Sequence, residues 1–306
     1  MTADTPTGAL SPPRSRMPPL LAAVRPRQWT KNLLVIGAPL VSGRLFEAGV
    51  LRATAVAFGS LCLAASCTYL INDVHDVDED RGHPLKRYRP VASGRLSRRW
   101  ALVAAGIAGS AALVLAGTAG PPLTALVALY LAITIGYTLR LRREPILDLV
   151  AVATGFLLRG AAGGVGAGIP VSSWFLLVAG FGSLFLVSGK RYAELVGHER
   201  REGGRATLVR YTPGYLRFVW ASAATLTIVA YALWANAVYL VRDEGSWALW
   251  SLLPFLIGLL RYAYEVDRGL AEAPEELLLH DRLLQVVGLV WLVMLAVGAG
   301  GMDLGA

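Results

Sequence analysis

The sequence predicts an all-α polytopic membrane protein of nine transmembrane helices, with an active-site cavity on the cytoplasmic side. Three observations carry that reading. Mean hydropathy is +0.52, and only 16% of the 306 residues are charged, where a soluble chain carries about 25%. Apolar runs near the length of about 20 residues that a hydrocarbon core demands recur along the chain. The lysines and arginines fall in alternate connections between those runs.

Taken in order, the apolar runs predict helices at 30–47, 50–72, 98–117, 121–141, 145–167, 171–189, 214–241, 246–265 and 282–302. With the N-terminus inside, nearly all of the 29 lysines and arginines lie on the cytoplasmic side; only Arg44, Arg52 and Arg242 lie opposite, and Arg159 sits within a span. That bias sets orientation by the positive-inside rule. Residues 1–19, rich in Pro, Ser and Thr, read as a disordered cytoplasmic tail without a signal-peptide core, and 20–306 as one transmembrane domain. The expected location is the inner (cell) membrane, multi-pass, with the long polar loops cytoplasmic.

The net charge of +8 does not indicate nucleic acid, because the basic residues are spread between spans, where they anchor topology and meet anionic headgroups or substrates. Cys62 and Cys67 share an apolar run and read as small buried residues. The four histidines show no zinc spacing; His83, before Pro84, reads as a turn residue. "GGVGAG" at 163–168 lacks the strand–loop–helix setting of a phosphate-binding loop and reads as a close helix contact. Small-residue faces of this kind also allow a homo-oligomer.

One segment concentrates charge of both signs: "YLINDVHDVDEDRGHPLKRYRPVASGRLS", residues 69–97. On a helix, Asp73, Asp76 and Asp80 stand at i, i+3 and i+7 and share a face, with Asn72 beside Asp76. Stacked carboxylates repel and call for a counter-charge. Mg²⁺, which takes oxygen ligands and keeps substrate phosphates in its shell, supplies it. Asp78 and Glu79 point elsewhere and read as solvated. Lys86, Arg87 and Arg89 follow at once, which suits a metal-bridged diphosphate. Within the spans, Arg159 is too costly to face lipid and is expected in a cavity. Asp148 stands three turns away on the same face, too far to pair with it. Topology alone accounts for Arg142 and Arg143, while Arg140 is weighed as facing the cavity.

With N-D-x-x-D-x-x-x-D in the loop after the second span, the sequence resembles the UbiA superfamily of intramembrane prenyltransferases. The resemblance implies a UbiA-type bundle and Mg²⁺-diphosphate binding through Asn72, Asp73, Asp76 and Asp80. Members of that family carry a second aspartate motif in the loop after the sixth span. Here that loop has no aspartate and offers Lys190, Arg191, Arg200, Arg201, Arg205 and Arg210, cations that bind a phosphate monoester directly.

Together with "RPRQWTKNLLV" (25–35) and "GKRYAEL" (189–195), this resembles a branch that uses phosphoribosyl diphosphate (PRPP) as donor and a polyprenyl phosphate as acceptor, for cell-wall arabinan. Lys31, Tyr69 and Lys86 would then hold the donor, and Lys190, Arg191 and Arg205 the acceptor phosphate. The competing readings are an aromatic prenyltransferase of quinone synthesis, which would carry the second aspartate motif, and a transporter, which would show inverted repeats.

Overall fold

The structure is a computed structural model and describes residues 17–198, 210–241 and 246–300. Among them it is helical throughout. Seven helices are long and apolar enough to cross a membrane: α3 (Ala48–His75), α5 (Arg98–Gly117), α6 (Pro121–Leu139), α7 (Leu147–Gly166), α8 (Ser173–His198), α9 (Pro213–Val241) and α10 (Ser246–Asp267). The last helix, α12 (Arg282–Gly300), is apolar too. Short helices complete the order: α1 (Pro19–Val24), α2 (Gly37–Val41), α4 (Val77–Gly82) and α11 (Pro274–His280).

The departure from expectation lies in the first predicted span, 30–47. It is no single α-helix but a 3-10 helix over Pro26–Ile36 running into α2. Eleven residues of 3-10 geometry is unusual, because its hydrogen bonds are poorer. The three-residue repeat has a use here: it lines up Trp29, Asn32 and Val35 on one side. The Trp29 indole donates to Ser66 Oγ of α3 at 3.2 Å, the Asn32 amide to Cys62 Sγ at 3.3 Å, and Val35 is buried. A 3.6-residue repeat would swing one of these off α3.

Apolar packing forms two cores. One joins α3, α5 and α6 to the 3-10 segment; the other joins α8, α9 and α10, with Leu284 of α12. α7 contributes to both, through Ala161 and Ala162 on one side and Leu149 on the other. Its small residues let the backbones touch. A Cβ placed on Gly163 would sit 1.9 Å from the Val35 carbonyl oxygen, so "GGVGAG" is the helix contact its composition predicts. Gly163→Ala is expected to lower stability by roughly 1–3 kcal/mol or more, since the obstacle is backbone and cannot swing away. Gly106→Ala, inside α5 where a Cβ meets nothing within 4 Å, is the control in the same detergent melt and should hold or slightly raise stability.

α8 outruns its predicted end at 189 and continues to His198. Pairs one turn apart extend it, Arg191 to Glu194 at 3.0 Å and Lys190 to Glu194 at 3.9 Å. The start of the cationic segment is therefore helix rather than loop.

Candidate active site

Asp73 and Asp80 share one partner, Arg89, whereas the Asp76 carboxylate meets Arg142 and His75. α3 stops at His75, yet the Asp76 amide still donates to the Asn72 carbonyl at 2.9 Å and the Asp80 amide to the Asp76 carbonyl at 2.8 Å. Helical hydrogen bonding thus carries through the break into α4. All three carboxylates are buried, with Asp73 at 1%, Asp76 at 9% and Asp80 at 2% exposure, while Asp78 and Glu79 are exposed. Asn72 is half-buried beside them.

Each carboxylate has an arginine. Arg89, just after a 3-10 turn at Lys86–Tyr88, lies 2.7 Å from Asp80 and 3.5 Å from Asp73. Arg142, in the 3-10 turn Leu141–Arg143 between α6 and α7, grips Asp76 with two parallel hydrogen bonds of 2.6 Å each. His75 Nδ1 lies 2.8 Å from the same carboxylate. Arg25 reaches Asp73 from the junction of α1 and the 3-10 helix. Its φ of 53° puts a non-glycine residue in the left-handed region, at a cost of roughly 1–2 kcal/mol. Burial pushes the Asp76 carboxyl up, but hydrogen bonds from Arg142 and His75 outweigh it and hold the group below the usual carboxylate range. One buried oxygen, Asp73 Oδ2, accepts no hydrogen bond among the described residues.

Other expected site residues fall into two groups. Near the aspartates, the Tyr69 ring lies 5.0 Å under the Arg25 guanidinium and Lys86 is half-buried; Lys31, on the 3-10 helix, is half-buried too. Arg87 is exposed and lies against Tyr88, donating to its hydroxyl at 2.8 Å. His83 is a turn residue, its Nδ1 accepting from the Leu85 and Lys86 amides.

Away from them, Arg159 is buried between α6 and the 3-10 helix. It donates to Asn32 Oδ1 at 2.8 Å and to the Tyr130 hydroxyl, with its guanidinium 4.8 Å from the Tyr130 ring centre. Asp148 pairs not with it but with Arg191, at 2.9 Å and 3.1 Å. Tyr137 donates to Asp148 at 2.9 Å. Arg191, expected at a substrate phosphate, is thus a buried tie between α7 and α8. Lys190, its neighbour, keeps a third of its side chain exposed. Arg205, with Arg200 and Arg201, lies outside the described residues.

Arg25 and Arg142 are the residues that sequence reasoning missed. Arg142 sits in a run of arginines that topology explains equally well, and nothing local marks it out. A separate cleft of about 190 Å³, lined by Val41, Ile169, Phe175, Trp234 and Trp247 among others, contains none of these residues.

Comparison with known proteins bears directly on this arrangement. The profile of the UbiA prenyltransferase family matches residues 33–284. The chain belongs to that family. The UbiA assignment extends to relatives of nearly the same length. A decaprenyl-phosphate phosphoribosyltransferase of Corynebacterium glutamicum is 44% identical over 95% of this chain and 91% of its own. Those of Mycolicibacterium smegmatis and Mycobacterium tuberculosis are 45% and 43% identical, each over 92% of this chain.

The UbiA fold itself is matched by a homolog from Archaeoglobus fulgidus solved with DMAPP and Mg²⁺. Its TM-score is 0.71 over 93% of this chain and 99% of that one, at 16% identity. A digeranylgeranylglyceryl phosphate synthase superposes with a TM-score of 0.67 at 17% identity. This chain is accordingly a multi-pass, all-helical membrane protein of the UbiA fold.

Proposed function

We propose that this UbiA-family chain transfers 5-phosphoribose from PRPP to a polyprenyl phosphate of the decaprenyl type, releasing diphosphate with inversion at C1 for cell-wall arabinan. The observation that carries the reading is the 43–45% identity, over nine-tenths of each chain, to relatives of that name. The geometry supports it, since a buried carboxylate face ringed by guanidiniums suits a polyphosphate held through a cation.

A divalent metal fits the residues present. Asn72, Asp73, Asp76 and Asp80 offer the hard oxygen donors that Mg²⁺ prefers, and the orphaned Asp73 Oδ2 is a buried acceptor in need of a positive partner. Among the described residues these side chains do not by themselves form a metal cage, which accords with a site completed by substrate phosphates. When bound, the metal would neutralise charge developing on the leaving diphosphate.

The chain's own groups do the rest. Arg25, Arg89 and Arg142, with Lys31, Lys86, Arg87 and Tyr69, hold the donor's phosphates and ribose. Lys190, with Arg205, brings the acceptor phosphate in line with C1. That phosphate is already an anion, so no general base is needed. Arg159 shapes the cavity wall below.

In this reading the 3-10 segment with α2, the seven long helices and α12 make nine crossings. The N-terminus and the aspartates face the cytoplasm of the inner membrane, with 1–19 as a tail on a single domain, 20–306.

The deciding experiment uses purified protein in detergent with Mg²⁺ and radiolabelled PRPP, offered a long polyprenyl phosphate or, separately, 4-hydroxybenzoate with a prenyl diphosphate. Label passing into a lipid-soluble phosphoribose, and lost with EDTA, is the expected result. Modification of the aromatic acid alone would overturn it. Lys190→Ala is expected to raise KM for polyprenyl phosphate about tenfold or more, with KM for PRPP little changed. Equal shifts for both substrates would rule out separate phosphate sites.

A further inference from the structure

The aspartate cluster is electrically closed without any metal. Three buried carboxylates, Asp73, Asp76 and Asp80, face three guanidiniums, Arg25, Arg89 and Arg142, each within ion-pair distance. Among these contacts the grip of Arg142 on Asp76 is the one made by two parallel hydrogen bonds. Asp76 lies between the other two along the chain, and a cation that takes it as a ligand must displace that guanidinium. A dication entering alone would have to break that grip. It would also leave a net two positive charges, and a guanidinium without its carboxylate, in a buried region where charge is poorly screened. A dication entering with a diphosphate meets neither obstacle, because the phosphate oxygens take the guanidinium as Asp76 lets it go and restore neutrality.

We infer that Arg142 is a further residue of this site, a resident counter-ion on Asp76 that keeps bare metal out and makes metal and diphosphate bind together. The inference rests on the reading of the aspartates as metal ligands. It assigns to the α6–α7 turn a function that the topology rule alone does not, namely coupling two ligands. Coupling of this kind is reciprocal, so metal must tighten diphosphate by the same factor as diphosphate tightens metal.

The test measures Mn²⁺ binding to the full-length protein in detergent by electron paramagnetic resonance, and retention of labelled inorganic pyrophosphate across a Mn²⁺ titration. Wild-type protein should bind Mn²⁺ alone weakly and retain pyrophosphate at least about tenfold more tightly once Mn²⁺ is present. In Arg142→Gln, which removes the charge, Mn²⁺ alone should bind about tenfold more tightly, and the coupling should shrink by a similar factor. Arg142→Lys, which keeps the charge but not the two-bond grip, should bind bare Mn²⁺ measurably more tightly than wild type and less tightly than Arg142→Gln, and a value equal to wild type would count against the inference.

Wild-type Mn²⁺ affinity indifferent to pyrophosphate would overturn the inference, as would Arg142→Gln binding bare Mn²⁺ no better than wild type. If Arg142→Gln fails to fold, the wild-type and Arg142→Lys measurements still decide the matter. Should wild-type protein bind no Mn²⁺ even with pyrophosphate, the metal reading itself falls and takes this inference with it.

Discussion

Asp76→Asn is expected to lower phosphoribosyl transfer by at least about a thousandfold and to abolish metal-dependent donor binding, while the protein still folds. Asparagine keeps the shape of the side chain and removes its charge. Asp76 lies one helical turn from each of Asp73 and Asp80 and has its own partners, Arg142 and His75, so neither of the other carboxylates can take its place without moving the helix end. Stabilising a leaving diphosphate through a metal is worth several kcal/mol of transition-state energy, and each 1.36 kcal/mol is a factor of ten. Loss of the charge opposite Arg142 costs some stability, but the fold should survive, because Arg142 keeps 22% of its side chain exposed to water and the backbone hydrogen bonds of Asp76 are untouched. Turnover of labelled donor, donor binding with and without Mg²⁺, and a detergent melt together decide it. Wild-type turnover in this variant would remove the aspartates from the chemistry.

A second large effect is expected in stability. Asp148 and Arg191 are buried to 2% and 5% exposure and joined by two hydrogen bonds, with Tyr137 and Glu194 satisfying the remaining donors. Removing one partner leaves a buried charge unpaired, which costs about 3–5 kcal/mol. Asp148→Ala should therefore lower the unfolding temperature sharply. The double replacement Asp148→Leu with Arg191→Met should recover most of the loss, because an apolar pair of similar size avoids the desolvation penalty. An Asp148→Ala protein that melts like the wild type would show that the pair adds nothing. The double variant also separates two roles for Arg191. If it is stable and active, Arg191 is the tie between α7 and α8; if it is stable and inactive, Arg191 meets a substrate after all.

Much of the architecture was legible in the chain because a bilayer imposes a strict rule of length and polarity. α5, predicted at 98–117, is found at Arg98–Gly117, and α9, predicted at 214–241, at Pro213–Val241. The aspartate face was legible for a different reason. Its members lie within two helical turns, so their nearness along one helix end follows from helix geometry, while the partner each carboxylate takes does not.

The arginines that complete the face were not legible, because contacts between Arg142 and Asp76 or Arg25 and Asp73 span 66 and 48 residues. No local pattern encodes such a pairing. The overrun of α8 belongs with these. Hydropathy ends the span where Lys190 and Arg191 appear, but a buried partner on α7 makes Arg191 acceptable inside the helix. The break in the first span has a similar origin. Its apolar content satisfies the length rule, yet Asn32, Trp29 and the close approach to Gly163 favour a tighter winding against α3 and α7.

The amino-acid sequence by itself determined the apolar helices, the alternation of charge between them and the clustering of three aspartates at one helix end, all consequences of short-range periodicity and of the cost of charge in lipid. The tertiary structure decided which cations meet those carboxylates and which arginine is a tie rather than a ligand. Ion pairs are chosen by distance in space, and only the packing of α3, α7 and α8 and the turns between helices sets those distances.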